Sequence, residues 1–477
     1  MNAQIVKLFG FFVVLFALLV VFTTRWTVLD ATALDNNPLN SRTLIAALKI
    51  ERGRILAANG AVLAKSVRGA HGYWTRTYPT GPLFAQPVGY NNVATGSKAA
   101  LEDYRAAALK GQQASLSSVF GPLSSSNVGN DVYTTLDPKA QQVAEQQLAG
   151  RPGSVVALDP RTGAVLTMYS DPSYNDNHLP PTCAPTAVGC QVNRATDARY
   201  PPGSTFKIVT ATAGIDSGKY TPNSIINGKS PLTVSGVPLN NDLNQSFGPI
   251  SLTTALVQSV NTVFAQVAEN VGRRTMTEYM KRYGFYSRPP IDLPAGELVS
   301  SRPFAPSGRP YLPGSPNEDI GRIAIGQGGL LVTPLQMAMV VSAVANGGKL
   351  MRPHLTSRIV NQTGQTVAPI VPSVYAQVMK SSTASDLTQM MEKVVDEGTG
   401  QAAQLGSGIT FAGKTGTASI GPAGANETQP WFVGFAPAND PKVAIAVTIE
   451  KTQGGFGGQV AAPIAKAVVQ TLLAEGK

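Results

Sequence analysis

Histidine is nearly missing from this chain. Its 477 residues hold three, His71, His178 and His354, far apart in sequence. They offer no cluster for a metal and no pattern for a Ser-His-Asp triad. Cysteine is scarcer still. Cys183 and Cys190 are the only two, and their spacing is not that of a zinc site. They lie in a loop rich in Pro and Thr, where a disulfide is expected outside the cytoplasm and two unpaired thiols are the alternative. Charge is thin as well, 14% of residues against about a quarter in typical soluble domains. What charge there is leans positive, 38 basic against 28 acidic residues, a formal +10. No nucleic-acid motif accompanies it. The excess reads as a plain basic surface, or as attraction to an anionic cell envelope. No cofactor and no metal are expected.

Gly and Pro are plentiful, 47 and 35 residues, and imply many loops. One long apolar run is present. Leu8 to Thr24 carries no charge, with Lys7 before it and Arg25-Trp26 after it. Its length is near the lower limit for a membrane-spanning helix. It reads as an anchor (8–24) behind a short cytoplasmic tail (1–7). The alternative is a cleaved signal peptide, with Ala31-Thr-Ala33 as a small-residue site.

Three short motifs follow in a fixed order: Ser204-Thr-Phe-Lys207, Ser259-Val-Asn261 and Lys414-Thr-Gly-Thr417. A lone S-x-x-K is weak; the joint set is strong. On a helix, Ser204 and Lys207 share a face, so the amine can reach the hydroxyl. A buried lysine beside another cation loses proton affinity and can serve as the base that a serine nucleophile needs. Lys414 is the candidate neighbour. Pro201-Pro202-Gly203 reads as a helix start, whose free N–H groups suit a developing oxyanion. Ser251 can cap a helix on which Leu252, Ala255, Leu256 and Ser259 share a face, and a second helix runs from near Asn261 to Gly272. The corner between them puts a hydroxyl and an amide together, one for proton relay and one for a substrate peptide group. The third motif reads as a strand over 409–417. Gly416 would leave room for a substrate backbone, Thr415 and Thr417 flank it with hydroxyls, and Lys414 would meet a substrate carboxylate.

Residues 25–130 read as a small N-terminal module with a helical pattern at 98–109 and a Ser/Gly-rich linker from 115 to 130. The main domain is 131–477. Asp137-Pro138 opens a helix to about Leu148. Ser154–Leu158 and Ala164–Tyr169 read as strands around the turn at Asp159-Pro-Arg-Thr-Gly163. Further strands fall near 409–417, 430–436 and 442–450, with a closing helix from near Pro463. Five strands split between the domain's ends, with helices between, argue for an α+β fold: an antiparallel sheet covered by helices. Asp137 and Asp159 read as cap and turn residues, Asn193 and Arg194 as braces, Gly326-Gln327 and Thr333-Pro334 as turn and helix start, and Trp431 as a strand or core aromatic.

With its motifs embedded in Arg52-Gly-Arg-Ile55, Asn193-Arg-Ala195, Tyr200-Pro-Pro-Gly-Ser204, Glu397-Gly-Thr-Gly400, Ala412–Ala418 and Trp431-Phe-Val-Gly-Phe435, the chain resembles the class B penicillin-binding proteins, and most the actinobacterial penicillin-binding protein A type. The resemblance implies a serine β-lactamase-like transpeptidase domain on a pedestal module, with the catalytic domain outside the cytoplasm. It implies that Ser204 attacks the penultimate D-Ala carbonyl of a stem pentapeptide, Lys207 takes its proton, and Ser259 passes a proton to the departing D-Ala. Asn261 would hold the stem peptide, and Lys414, Thr415, Gly416 and Thr417 the terminal carboxylate. The N–H groups of Ser204 and Thr417 would form the oxyanion hole. Peptidoglycan stem peptides and β-lactam antibiotics are the expected ligands, and division or elongation proteins the candidate partners.

The middle motif is Ser-Val-Asn rather than Ser-Asp-Asn, which leaves both functional positions in place. A serine β-lactamase or a D,D-carboxypeptidase on the same fold is the first alternative. No Glu-x-x-Leu-Asn is present to activate a deacylating water, and Asn261 differs from the Val that class D enzymes carry. A catalytically idle division scaffold is the second alternative, against which the intact motifs count. No glycosyltransferase module and no C-terminal repeats are read.

Overall fold

The computed structural model describes residues 2–30, 41–111, 128–178, 189–406, 408–422 and 425–476. Cys183 and most of the expected linker lie outside them. Cys190 is fully buried, and no described cysteine is a free thiol.

Helix α1 spans Asn2–Thr24 and exposes its apolar side chains all round. At 1.5 Å per residue it is about 34 Å long, enough for a bilayer's hydrocarbon core. A short π-helical turn, Arg25–Leu29, follows.

The N-terminal module pairs β1 (Ile55–Leu56) with β2 (Val62–Arg68), and β2 with β3 (Trp74–Thr77). The helical pattern at 98–109 divides into α2 (Ala100–Tyr104) and α3 (Ala106–Leu109). β1 also pairs in parallel with β4 (Asp131–Thr134), which pairs with a strand from much later in the chain, Thr356–Val360. One sheet therefore crosses position 130. The Arg52-Gly-Arg54 motif sits at this seam. Arg54 holds Asp131 at 2.6 Å, and a Cβ on Gly53 would lie 1.9 Å from Asn130 O. Only glycine allows that approach.

The main sheet runs β7–β8–β9–β5–β6, all antiparallel: β5 is Gly153–Leu158, β6 Val165–Asp171, β7 Ala412–Ile420, β8 Glu427–Ala436 and β9 Val443–Ile449. A short β10, Thr452–Gln453, adds to β8. Five strands were expected, and five form the sheet's path. Alternation in β9 sends Val443, Ile445, Val447 and Ile449 to one face and Ala444 and Ala446 to the other; both faces are buried. On the first face lie α4 (Pro138–Leu148), capped by Asp137, and the closing α10 (Gly457–Ala474). On the other lies the helical lobe: α5 (Lys207–Asp216), α6 (Leu252–Val257), α7 (Asn261–Val271), α8 (Pro334–Ala345) and α9 (Ser381–Asp396). α10 begins well before the expected start near Pro463. Gly457 and Gly458 conceal its first turn, because glycine is a poor helix former.

Candidate active site

Ser204 sits where a pinned segment turns into α5. The turn Gly203–Phe206 is 3-10, not α, and α5 starts at Lys207 itself. Tyr200 exchanges backbone hydrogen bonds of 2.8 Å with Val332 in both directions. Trp431 Nε1 donates to Pro201 O at 3.0 Å, so this buried aromatic braces the nucleophile turn. Glu450 Oε1 accepts from Tyr200 Oη at 2.6 Å and from Arg194 Nε at 3.0 Å, which makes Arg194 a brace as well. Gly203 has φ +52°, and a Cβ on Gly326 would lie 2.0 Å from Gly203 O. Gly326 is thus a close-approach glycine beneath the turn.

The second motif meets the first from across the lobe. Ser251 caps α6 as expected, but Ser259 lies beyond that helix at φ +57°. This left-handed kink, rather than a shared helical face, aims its hydroxyl. Lys207 Nζ donates to Ser259 O at 2.6 Å, Ser259 Oγ at 3.2 Å and Asn261 Oδ1 at 2.6 Å. Asn261 Nδ2 donates to Asn240 O at 3.1 Å and Asp242 Oδ1 at 3.2 Å. Among the described residues, Ser204 Oγ has no hydrogen bond to Lys207, whose donors all serve the second motif. Catalytic hydrogen bonds often tighten only with substrate bound.

The third motif is on β7, the edge strand nearest the nucleophile. Lys414 Nζ donates to Ser259 Oγ at 3.0 Å and to Thr415 O at 3.1 Å. Its side chain is fully buried and points into the motif set. Gly416 packs closely. A Cβ there would lie 2.8 Å from Pro202 O and 2.9 Å from Thr205 Cγ2, so the missing side chain brings β7 onto the Ser204 turn. Thr415 Oγ1 shares a hydrogen bond of 2.6 Å with Thr399 Oγ1, and Thr417 Oγ1 accepts from Gly457 N at 3.1 Å. Gly457 approaches within 2.3 Å, from its Cβ position, of Gly416 O. The sequence reading missed Gly457, Asn241 and Asp242. The run Gly454-Gly455-Phe456-Gly457-Gly458 was the signal for the first; a lone Asn-Asp pair gave none for the others.

The hydroxyl of Ser259 therefore bridges two fully buried lysines. Burial drives the proton affinity of Lys207 well below the usual lysine range, the charge of Lys414 lowers it further, and Asp242 opposes. Burial takes Lys414 down to about 7, again against Asp242. Such a pair can hold one proton and pass it through a hydroxyl.

Serine, lysine pair and edge strand on a helix-covered antiparallel sheet define a serine acyl-transfer site. Residues 153–470 match the penicillin binding protein transpeptidase domain, and residues 52–126 the penicillin binding protein A dimerisation domain. The chain belongs to the penicillin-binding protein transpeptidase family. It is 32% identical to peptidoglycan D,D-transpeptidase PbpA of Mycolicibacterium smegmatis, over 100% of both chains. It is also 32% identical to PbpA of Mycobacterium tuberculosis H37Rv, over 99% of each. Among solved structures it resembles penicillin-binding protein A from M. tuberculosis in its ceftriaxone acyl-enzyme complex, with TM-score 0.78 and 29% identity over 90% of this chain and 100% of that one. A D,D-transpeptidase domain from Eggerthella lenta gives TM-score 0.77 at 32% identity, over 90% and 99%.

Proposed function

We propose that this chain is a penicillin-sensitive D,D-transpeptidase that cross-links peptidoglycan stem peptides through an acyl-enzyme on Ser204. The observation that carries the reading is the Lys207–Ser259–Lys414 bridge. Ser204 Oγ attacks the penultimate D-Ala carbonyl while its proton goes to neutral Lys207. The N–H groups of Ser204 and Thr417 receive the oxyanion. The C–N bond breaks, and Lys207 returns the proton through Ser259 to the departing D-Ala amine. An amine of a second stem peptide then forms the new C–N bond, the ester C–O bond breaks, and Ser204 regains its proton. Asn261 holds the donor peptide. Thr415 and Thr417 contact the terminal carboxylate, with Lys414 supplying the positive field behind them.

In the same reading α1 is a single-pass membrane anchor, residues 25–130 a pedestal and linker, and residues 131–477 the catalytic domain on the outer side. Division or elongation proteins are the proposed partners. The test is Ser204→Ala in the full-length protein held in detergent micelles, exposed to a fluorescent penicillin. Labelling is expected to vanish while the fold persists, and labelling that survives in the folded variant overturns the assignment. Intact-mass time courses of the wild type are expected to show one equivalent trapped for many minutes to hours. Turnover of several per second, in the ordinary enzyme range, would indicate a β-lactamase instead.

A further inference from the structure

A second charged group stands at the mouth of this site, and the transfer chemistry just described leaves it without a task. Asp242 is solvent-exposed, yet its Oδ1 accepts from Asn261 Nδ2 at 3.2 Å. Asn261 in turn receives Lys207 at 2.6 Å, so the carboxylate stands two hydrogen bonds from the proposed base. It is also the carboxylate that acts on both buried lysines.

The loop that carries it is built, not incidental. Asn241 is buried and uses its whole side chain to fix the loop. Its Nδ2 donates to Gly228 O and Gln245 O, each at 3.0 Å, and its Oδ1 accepts from Thr262 N at 2.9 Å. The next residues, Leu243 and Asn244, hold φ of +55° and +56°, a region L-residues adopt at a cost. Leu243 is 82% exposed. A strained, anchored turn thus presents one carboxylate and one apolar side chain to solvent beside the residue that grips the donor peptide.

We propose that Asp242 selects the acceptor: its carboxylate receives the ammonium end of the incoming stem peptide and disfavours an amine that carries a free carboxylate beside it. This inference rests on the transpeptidase reading above. A donor carbonyl that takes the Nδ2–H of Asn261 releases the Asp242 carboxylate from the one hydrogen bond described for it. The acceptor then docks with Leu243 against its stem, in the order a ping-pong reaction requires. Its ammonium gives one proton to solvent, and the free amine attacks the ester on Ser204. Because Asp242 acts in docking, its loss falls on the acceptor's KM more than on the maximal rate.

The experiment uses full-length protein in detergent micelles, a thioester acyl donor, and two acceptors that differ in charge beside the amine, glycinamide and glycine; because their amines also differ in basicity, each variant's ratio is read against that of the wild type. Asp242 is expected to contribute about fivefold to the wild type's preference for glycinamide, the scale of one partly exposed charge pair. Asp242→Asn is expected to lower that preference by the same factor, a ratio from which any change in acylation common to both acceptors cancels. Asp242→Glu keeps the charge and is expected to retain the preference. Unchanged selectivity in Asp242→Asn overturns the inference. So does an equal loss in acylation and in transfer to both amines, which would mean that Asp242 acts only by holding Asn261. Absence of any Ser204 acyl-enzyme in the wild type would instead overturn the transpeptidase reading, and this inference with it.

Discussion

Two regions of this molecule bury charge, and they do it in opposite ways. In the N-terminal module, Glu102 is fully buried between two arginines: Oε2 accepts from Arg52 at 2.6 Å and Oε1 from Arg76 at 2.5 Å. In the active site, Lys207 and Lys414 are fully buried with a serine hydroxyl between them and no buried acid beside them. Burial alone would raise the Glu102 carboxyl, but Arg76 and Arg52 pull it below its usual range. Burial lowers both lysines, and the charge of Lys414 lowers Lys207 further. The first arrangement locks a proton state; the second leaves one free to move. A buried charge that is neutralised holds a fold together, and a like-charged pair left unneutralised is a working part.

The strongest way to break that contrast is Glu102→Ala. It leaves two buried guanidinium groups without their acid, and Arg52 already has Nε and Nη1 unpartnered. Breaking a buried pair costs about 3–5 kcal/mol. Chemical denaturation of the full-length protein is expected to show that loss, with the acylation rate of the folded fraction nearly unchanged. A loss below about 1 kcal/mol would place this node among ordinary surface pairs.

Lys414→Ala should do the reverse. Acylation by carboxylated β-lactams is expected to slow by on the order of a hundredfold, about 3 kcal/mol, because both the field on the carboxylate and the donor to Ser259 are removed. Stability should hold or rise, since the cost of burying that ammonium is gone. An unchanged acylation rate would remove Lys414 from the machinery.

Those two regions were not equally legible in the sequence. Chemistry of fixed residue type and order survives in a string, so Ser204, Lys207, Ser259, Asn261 and Lys414 were readable and meet in space. Local capping was readable too: Asp137, Ser251 and Thr333 each accept a backbone N–H of the helix they precede. Pairings between distant segments left no local mark. Nothing in Asp131–Thr134 signals that it joins β1 and a strand at Thr356–Val360, or that Arg52 and Arg76 converge on Glu102. Side-chain direction was also hidden. Strand alternation put Lys414 on the site but could not show that it turns inward to Ser259, or that Gly416 packs against Pro202.

The two cysteines lie outside both regions and supply a control. Non-reducing peptide mapping is expected to find Cys183 joined to Cys190. Because the enclosed loop is short, removing the bond with Cys183→Ser and Cys190→Ser together should cost about 2 kcal/mol or less. Both thiols alkylating before reduction would reject the bond.

The finest test of the contrast is pH, where the two regions should act in separate windows, the lysine in the alkaline range and the carboxyl in the acid range. Lys414 has its folded value lowered to about 7, while the unfolded chain keeps its proton to about 10.4. Between those values the unfolded state binds more protons, so this group's contribution to stability rises with pH. Glu102 is a carboxyl lowered on folding, so its contribution is present above the ordinary carboxylate range and is lost on acidification. Acylation follows Lys414 the other way. The second-order rate reports the free enzyme, so it should fall about fivefold from pH 7 to 8 as Lys414 loses its charge. Lys414→Ala should abolish both the alkaline fall in rate and the alkaline rise in stability, and Glu102→Gln neither. A flat alkaline profile in the wild type would mean that Lys414 keeps its proton through this range, and that the two buried clusters differ less than their geometry indicates.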